Sequence, residues 1–388
     1  MKKFLKYLAQ YLLFPFSFLV PRSRKKIAFG SFRGGFDGNA KYLFIEMSNQ
    51  GADVVWLSQN RETVRLIRSL GLNARCVLSL KGAWRALRSK YWIINAYTSD
   101  ILWAFSGGAT VLNLWHGVGI KRAEYNVKAG PLYDRYIRKT FKEAFYHPEA
   151  YRKPDYLVTA SDFQTEFFRK TFRIPESSCI KCGYPRSRIL VCSDEEREAH
   201  IKAYEPASTA ELIGKIKGYS QTWIYMPTWR DSQRDIFAQK MDLGKLNEAL
   251  ASRNELLLLK PHPNTIVGDL GAYPNIVLMD PSADVYPVLP FTDVLVTDYS
   301  SVLYDYLLMD GKKVVLYLYD FKDYVKDRDF AYPFDENVTG QRAFNFEELL
   351  SIVGNGAKAL DEDERKALIL KFWGPKPVHY DFSNYLHL

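Results

Sequence analysis

Short apolar runs alternate with helix-patterned segments along most of this chain, and the alternation starts twice. Strands that alternate with helices pair in parallel, and the helices cover both faces of the sheet. The first series predicts strands at 27–30, 53–57, 74–77, 91–95, 110–115, 156–159 and 179–182, with helices at 39–49, 61–70 and 82–89. An acidic helix at 194–204 and a stretch rich in Pro, Ser and Thr mark a boundary near 190–215. The second series predicts strands at 222–226, 256–260, 276–279, 294–297 and 314–319. Its helices are expected at 243–251, 285–289, 302–309 and 361–370. A chain of 388 residues exceeds one ordinary core and suits two domains. The expected fold class is α/β: two doubly wound, Rossmann-type domains, 27–200 and 201–388, facing a cleft.

Residues 1–26 form a third segment, apolar and aromatic from Phe4 to Val20 and flanked by Lys2, Lys3, Arg22, Arg24, Lys25 and Lys26. A spanning helix needs about 20 apolar residues, and Lys6, Gln10 and Pro15 interrupt this one. No small-residue cleavage site follows. The pattern predicts a segment lying on an anionic membrane surface, peripheral or monotopic. A helix packed on the first domain is the other option. The chain carries a net charge of +9, which calls for an anionic partner. Nucleic acid is excluded as that partner, because no recognition helix, zinc-finger spacing or RNA-binding aromatic signature is present. The four cysteines, Cys76, Cys179, Cys182 and Cys192, do not make a disulfide framework and fit a reducing, cytoplasmic compartment.

Three polar clusters sit at predicted strand ends, where open α/β sheets bind ligands. They are Trp115-His116-Gly117, Lys260-Pro261-His262-Pro263 and Thr297-Asp298-Tyr299-Ser300-Ser301. Imidazole is suited to taking a proton from a hydroxyl near neutral pH, so His116 is a candidate base. Gly117 lets a ligand approach the backbone closely, and Lys121 lies nearby in the sequence. Arg230 ends another strand and offers a fork to phosphate oxygens. Lys260 and His262 are candidate donors to a phosphate or a leaving group. Ser300 and Ser301 add hydroxyls at a predicted helix start, where backbone N–H groups favour an anion. Asp298 is a candidate acceptor from a ligand hydroxyl or an orienting partner of His262. Together these residues describe a diphosphate site. No Walker-type loop is present. No metal-ligand spacing requires a cofactor, and Mg²⁺ is a possible companion of the diphosphate.

The clusters occur in one order with Gly183-Tyr184-Pro185-Arg186 and Pro227-Thr228-Trp229-Arg230. In that order they resemble the CDP-glycerol glycerophosphotransferase family, the teichoic acid primases and polymerases with their capsule-polymer relatives. Asn39 to Leu43 and the stretch from Tyr319 to Phe330 add to the resemblance, which covers about 27–340. It implies a GT-B-like pair of domains at the cytoplasmic face of the cell membrane, with 27–200 binding the acceptor and 201–388 the CDP-linked donor. It implies transfer of glycerol phosphate, or a related polyol phosphate, from CDP-glycerol to a hydroxyl of a lipid-linked saccharide or polymer, releasing CMP. His116 and His262 become the catalytic candidates, Gly117 and Lys121 acceptor contacts, and Arg230, Lys260, Thr297, Asp298, Ser300 and Ser301 the donor site. The chain departs from the family pattern at Ser187-Arg188 and at Val338 to Gln341, which leaves the polyol and acceptor open.

Two other readings use the same features. A GT-B glycosyltransferase or an epimerase acting on a nucleotide sugar would employ the histidines and the diphosphate site. A non-catalytic membrane scaffold would employ the N-terminal segment and the basic, aromatic stretch 121–153, and gives Lys260, His262 and 297–301 no role.

Overall fold

The computed structural model describes residues 1–128, 130–228, 240–261, 271, 273–280, 283–321, 324 and 330–386. Two compact units emerge: Met1–Arg188 together with Lys371–Leu388, and Ile189–Leu370. The division therefore falls at Arg188/Ile189 rather than after residue 200, and the end of the chain returns to the first unit. Close packing at Gly183 shows why. Its N–H donates to the His379 carbonyl at 2.7 Å. A Cβ at that position would stand 2.3 Å from the Pro377 carbonyl oxygen, so the returning segment fits only against glycine. Phe372 and Trp373 add edge-on contacts to Phe163 and Tyr184.

The first unit opens with helix α1 (Lys2–Phe16), followed by β1 (Ser23–Phe29), α2 (Gly38–Asn49), β2 (Val54–Ser58), α3 (Arg61–Ser69) and β3 (Ala74–Cys76). Next come α4 (Leu80–Arg88), β4 (Ser89–Ile94) and β5 (Thr110–Asn113). A turn-rich excursion carrying α5 (Phe141–Tyr146) leads to β6 (Tyr156–Val158), α6 (Asp162–Phe172) and β7 (Cys179–Ile180). Asn60, Ser79 and Ser161 cap α3, α4 and α6 by accepting from first-turn N–H groups. The seven strands are ordered β3-β2-β1-β4-β5-β6-β7, all paired in parallel. Helices on both faces leave the central strands without a solvent side. Hence Ile27, Ala28, Phe29, Val55, Trp56, Leu57, Trp92 and Ile93 are fully buried. The chain steps outward from β1 to β3 and then crosses to β4 on the other side of β1. That reversal opens a crevice beyond the carboxyl ends of β1 and β4.

The second unit repeats the plan. It holds α7 (Asp194–Tyr204), α8 (Ala207–Ile216), β8 (Gln221–Met226), α9 (Leu243–Ser252), β9 (Glu255–Leu259), β10 (Ile276–Leu278) and β11 (Val294–Thr297). After these come α10 (Val302–Tyr306), β12 (Lys313–Tyr317), β13 (Gln341–Ala343), α11 (Phe346–Asn355) and α12 (Glu362–Trp373), whose last residues, from Lys371 on, belong to the first unit. The strand order β10-β9-β8-β11-β12-β13 places its reversal between β8 and β11. Trp223, Leu257, Leu259, Val294, Val315 and Ala343 join α9 and α11 in one core cluster. The stretch expected as a Pro/Ser/Thr boundary contains α8, with Pro206 at its N-cap. The helix expected at 285–289 is a turn that ends in the short 3₁₀ segment Leu289–Phe291.

Helix α1 packs on the first unit by one stripe of aromatics. Phe14 stacks on Trp103 at 4.4 Å, Tyr11 meets Trp103 edge-on, and Phe4 and Tyr11 stack on Phe145 of α5. Arg22 fixes the exit of this helix by donating to the carbonyls of Ala86, Ser89, Phe105 and Gly107. The neighbouring stripe, Leu5, Leu8, Leu12, Phe16 and Leu19, is exposed. Among the described residues no helix is long and apolar enough to cross a membrane.

Candidate functional site

In the first unit the site forms at the strand-order reversal. His116 follows β5, and the turn that carries it is pinned from three sides. Asn39, in the first turn of α2, donates through Nδ2 to the Trp115 carbonyl at 2.8 Å. The Arg186 guanidinium donates to the His116 carbonyl at 2.8 Å, and its backbone N–H donates to Asn39 Oδ1 at 3.2 Å. The Tyr184 hydroxyl donates to the Gly117 carbonyl at 3.3 Å. Trp115 itself has φ 55°, a left-handed conformation that is unfavourable by about 1 kcal/mol for a bulky residue and persists only when its surroundings fix it. Gly117, with φ 115°, continues the turn.

The His116 ring lies against Trp115 with centroids 4.1 Å apart. One side of the residue is exposed while the other is densely packed. Burial on the packed side, followed by the Arg186 charge, lowers its pKa from 6.5 to about 4, and donation to the Asn95 backbone opposes this. Water on the open side limits the desolvation, and both causes act in the same direction: the imidazole is neutral at neutral pH. A ring nitrogen engaged with Asn95 leaves the other nitrogen as the proton acceptor. Asn95 is held in turn. Its side chain accepts from the Ala40 N–H at 2.9 Å and donates to Ser31 Oγ at 2.8 Å and the Asp37 carbonyl at 3.0 Å. The loop after β1, the start of α2 and the end of β4 thus form one rigid frame around the imidazole. Lys121 lies further along the same loop, beyond the Gly119–Gln164 pair of hydrogen bonds.

The second unit gathers its polar cluster at its own reversal. The Asp298 carboxylate accepts from the Thr228 N–H at 2.9 and 3.1 Å, bridging the carboxyl ends of β8 and β11. Thr297 Oγ1 donates to the Met226 carbonyl at 2.8 Å across the same gap. Both residues are buried and hold the loop after β8 in place. Lys260 donates through Nζ to the carbonyls of Asp280 and Ala283 at 2.7 and 2.8 Å, and burial lowers its pKa to about 8. Ser300 Oγ accepts from the Val302 N–H at 3.4 Å, and Ser301 is the N-cap of α10 without a side-chain capping bond. A helix of five residues gives that end only a small dipole. Arg230 and His262 lie outside the described residues. Among the described residues no group of three or more His, Cys, Asp or Glu side chains converges to hold a metal ion.

The sequence pattern singled out His116, Thr297 and Asp298 at their strand ends, and the structure places each there. It passed over Asn95, and it noted Asn39 and Arg186 only as members of longer motifs. All three act on His116 or its turn across long stretches of chain.

The model of the CDP-Glycerol:Poly(glycerophosphate) glycerophosphotransferase family matches residues 12–372. The teichoic acid poly(glycerol phosphate) polymerase of Bacillus subtilis (strain 168) is 26% identical over 357 residues, covering 88% of this chain and 45% of that protein. The chain thus spans about half the length of that relative. The teichoic acid glycerol-phosphate transferase of Staphylococcus aureus (strain NCTC 8325 / PS 47) is 25% identical over 360 residues, covering 88% of this chain and 85% of that protein. The solved structure of the wall teichoic acid polymerase TagF superposes with a TM-score of 0.76 at 21% identity, covering 100% of this chain and 96% of that one. A UDP-GlcNAc 2-epimerase from Neisseria meningitidis shares the fold more distantly, with a TM-score of 0.50 at 13% identity over 93% of this chain and 97% of that one. These likenesses support the two-sheet α/β fold. By the extent of its family match, this chain belongs to the CDP-glycerol:poly(glycerophosphate) glycerophosphotransferase family.

Proposed function

We propose that this chain transfers glycerol phosphate from CDP-glycerol to a hydroxyl of a membrane-linked acceptor. The observation that carries the reading is the neutral, partly exposed imidazole of His116, fixed at the reversal of the first sheet. Its free nitrogen takes the proton of the acceptor hydroxyl, whose oxygen attacks the phosphorus that bears glycerol. The P–O bond to CMP then breaks, and CMP departs with the bonding electron pair. Little covalent chemistry is asked of the protein beyond this proton transfer; the rest is positioning and neutralisation of phosphate charge.

The second unit takes the donor role. Asp298 and Thr297 shape the loop after β8, and Ser300, Ser301, Lys260, Arg230 and His262 complete the donor site. Gly117 and Lys121 contact the acceptor. The exposed stripe of α1, bordered by Lys3, Lys6, Arg24 and Lys25, rests on the anionic cytoplasmic face of the cell membrane. Mg²⁺ is an optional companion of the diphosphate.

CMP release by purified protein given CDP-glycerol, CDP-ribitol or a UDP-sugar tests the donor, with and without a lipid-linked saccharide acceptor. Acceptor-dependent CMP from CDP-glycerol is expected. Turnover of a UDP-sugar in its place would overturn the assignment.

A further inference from the structure

The peptide group that anchors the His116 ring is itself held by a buried acid. The chain leaves β4 through Asn95 and Ala96 and closes a 3₁₀ turn at Thr98–Asp100. One oxygen of the Asp100 carboxylate, Oδ2, accepts from the Asn95 N–H at 3.0 Å and from the Ala96 N–H at 2.8 Å. Asp100 is buried, and a Cβ at Gly30 would stand 2.8 Å from its carbonyl oxygen, so the turn is pressed onto the end of β1. Among the described residues the carboxylate makes no ion pair; its partners are backbone N–H groups. Serine or asparagine closes turns of this kind without a charge, whereas a buried carboxylate that lacks a cation is costly. The turn alone does not explain that cost. The Ala96 N–H shares its peptide group with the Asn95 carbonyl, to which the His116 ring donates. Ring, peptide group and carboxylate thus form one chain of hydrogen bonds.

We propose that Asp100 is a positioning residue for His116, acting through the Asn95–Ala96 peptide group to stabilise the imidazolium that forms when the base takes a proton. Negative charge on Asp100 draws on the Ala96 N–H, which makes the Asn95 carbonyl a stronger acceptor for the ring. The carboxylate of a Ser-His-Asp triad does this by direct contact; here a peptide group stands between. No proton passes to Asp100: the proton from the acceptor hydroxyl stays on the imidazole, whose other N–H remains on Asn95. Three charged or titratable groups face this relay. Arg186 opposes a positive ring, Asp37 opposes ionisation of Asp100, and Glu124 is bonded to Tyr97 at the start of the same turn. Burial raises the Asp100 pKa from 3.8 to about 7, against the pull of the Ala96, Asn95 and Tyr97 N–H groups. Asp100 is therefore neutral well below pH 7 and charged well above it, so the relay strengthens as pH rises. The effect on rate rests on the proposed transferase reading; the relay itself does not.

Asp100→Asn keeps one oxygen for both N–H groups and removes the buried charge, so the variant is expected to fold. NMR of protein labelled with ¹⁵N-histidine reads the ring directly, the His116 signal being assigned by its loss in His116→Ala. In the wild type the His116 ring shift should step near pH 7 as Asp100 ionises. The step should vanish in Asp100→Asn and persist in Glu124→Gln. A wild-type titration without the step, or a step that Glu124→Gln removes, would overturn the relay. In turnover, loss of the charge predicts a kcat about 3- to 10-fold below wild type at about pH 8.5 and equal to it at about pH 5, with KM for CDP-glycerol unchanged. A ratio that is the same at both pH values would make Asp100 a purely structural residue and equally overturn the proposal. The ring shift is read without turnover, so a step of the expected kind with no CMP release would support the relay and count against the transferase reading alone.

Discussion

His116 draws its character from neighbours that are remote in the sequence. Asn39 and Arg186, 147 residues apart, meet at its turn, and Asn95 orients the ring. Burial and Arg186 hold its pKa below 6.5, so in the folded protein the imidazole stays unprotonated as the pH falls below that value. The acidic limb of kcat/KM should therefore lie below 6.5, toward 4, and Arg186→Gln should move it upward by removing the repelling charge. Linkage gives the matching sign for stability. The unfolded ring binds its proton near 6.5 and the folded ring only at lower pH, so the contribution of His116 is present above 6.5 and lost as pH falls toward 4. A pH–rate profile of both proteins measures the limb. At this scale the sequence singled out His116, because a Trp-His-Gly turn closes an apolar run. Its supports were hidden, since Asn95 reads as the last residue of an ordinary strand.

Elements show a second buried titratable group, on the loop that follows His116. Glu124 sits at φ 50° and is nearly fully buried. The Tyr97 hydroxyl donates to its Oε1, the Tyr136 hydroxyl donates to Tyr97 at 3.1 Å, and Oε2 has no partner among the described residues. Burial pushes its pKa up to about 7, against the pull of Tyr97 and Arg135. A raised carboxyl pKa means the folded state holds a proton that the unfolded state has released. The contribution is complete below pH 4.5 and lost as pH rises through about 7. Glu124→Gln should thus leave stability near wild type at pH 5 and raise it at pH 8. A gain on the order of 1–2 kcal/mol would lift Tm by about 2–8 °C in melts at the two pH values. The regular elements were largely legible from the apolar runs, as at β11, and from the acidic run at α7. The helix expected at 285–289 failed because Pro287 and Pro290 interrupt it. The edge strand β13, Gln-Arg-Ala, lacks any apolar run to announce it.

At the scale of the molecule, both units use the same device: a parallel sheet whose strand order reverses at the polar cluster, between β1 and β4 and between β8 and β11. Strand alternation made the two sheets legible, but not the return of residues 371–388 to the first unit, which depends on packing at Gly183. The N-terminal segment carried two apolar stripes, and sequence alone offered membrane or core as alternatives. The structure docks one stripe and exposes the other. Leu12 and Phe16 are each 64% exposed, so replacing both by serine should leave Tm unchanged. The same change should weaken binding to anionic vesicles by about tenfold or more, and salt should weaken the wild type too. Vesicle co-sedimentation measures both.

The most direct test of the account is acceptor-dependent CMP release from CDP-glycerol by wild type and His116→Ala, with donor binding measured alongside. The account predicts a loss of about 10²- to 10⁴-fold in turnover, as for a missing general base, with CDP-glycerol affinity and Tm retained. Turnover near the wild-type rate in the variant would contradict it.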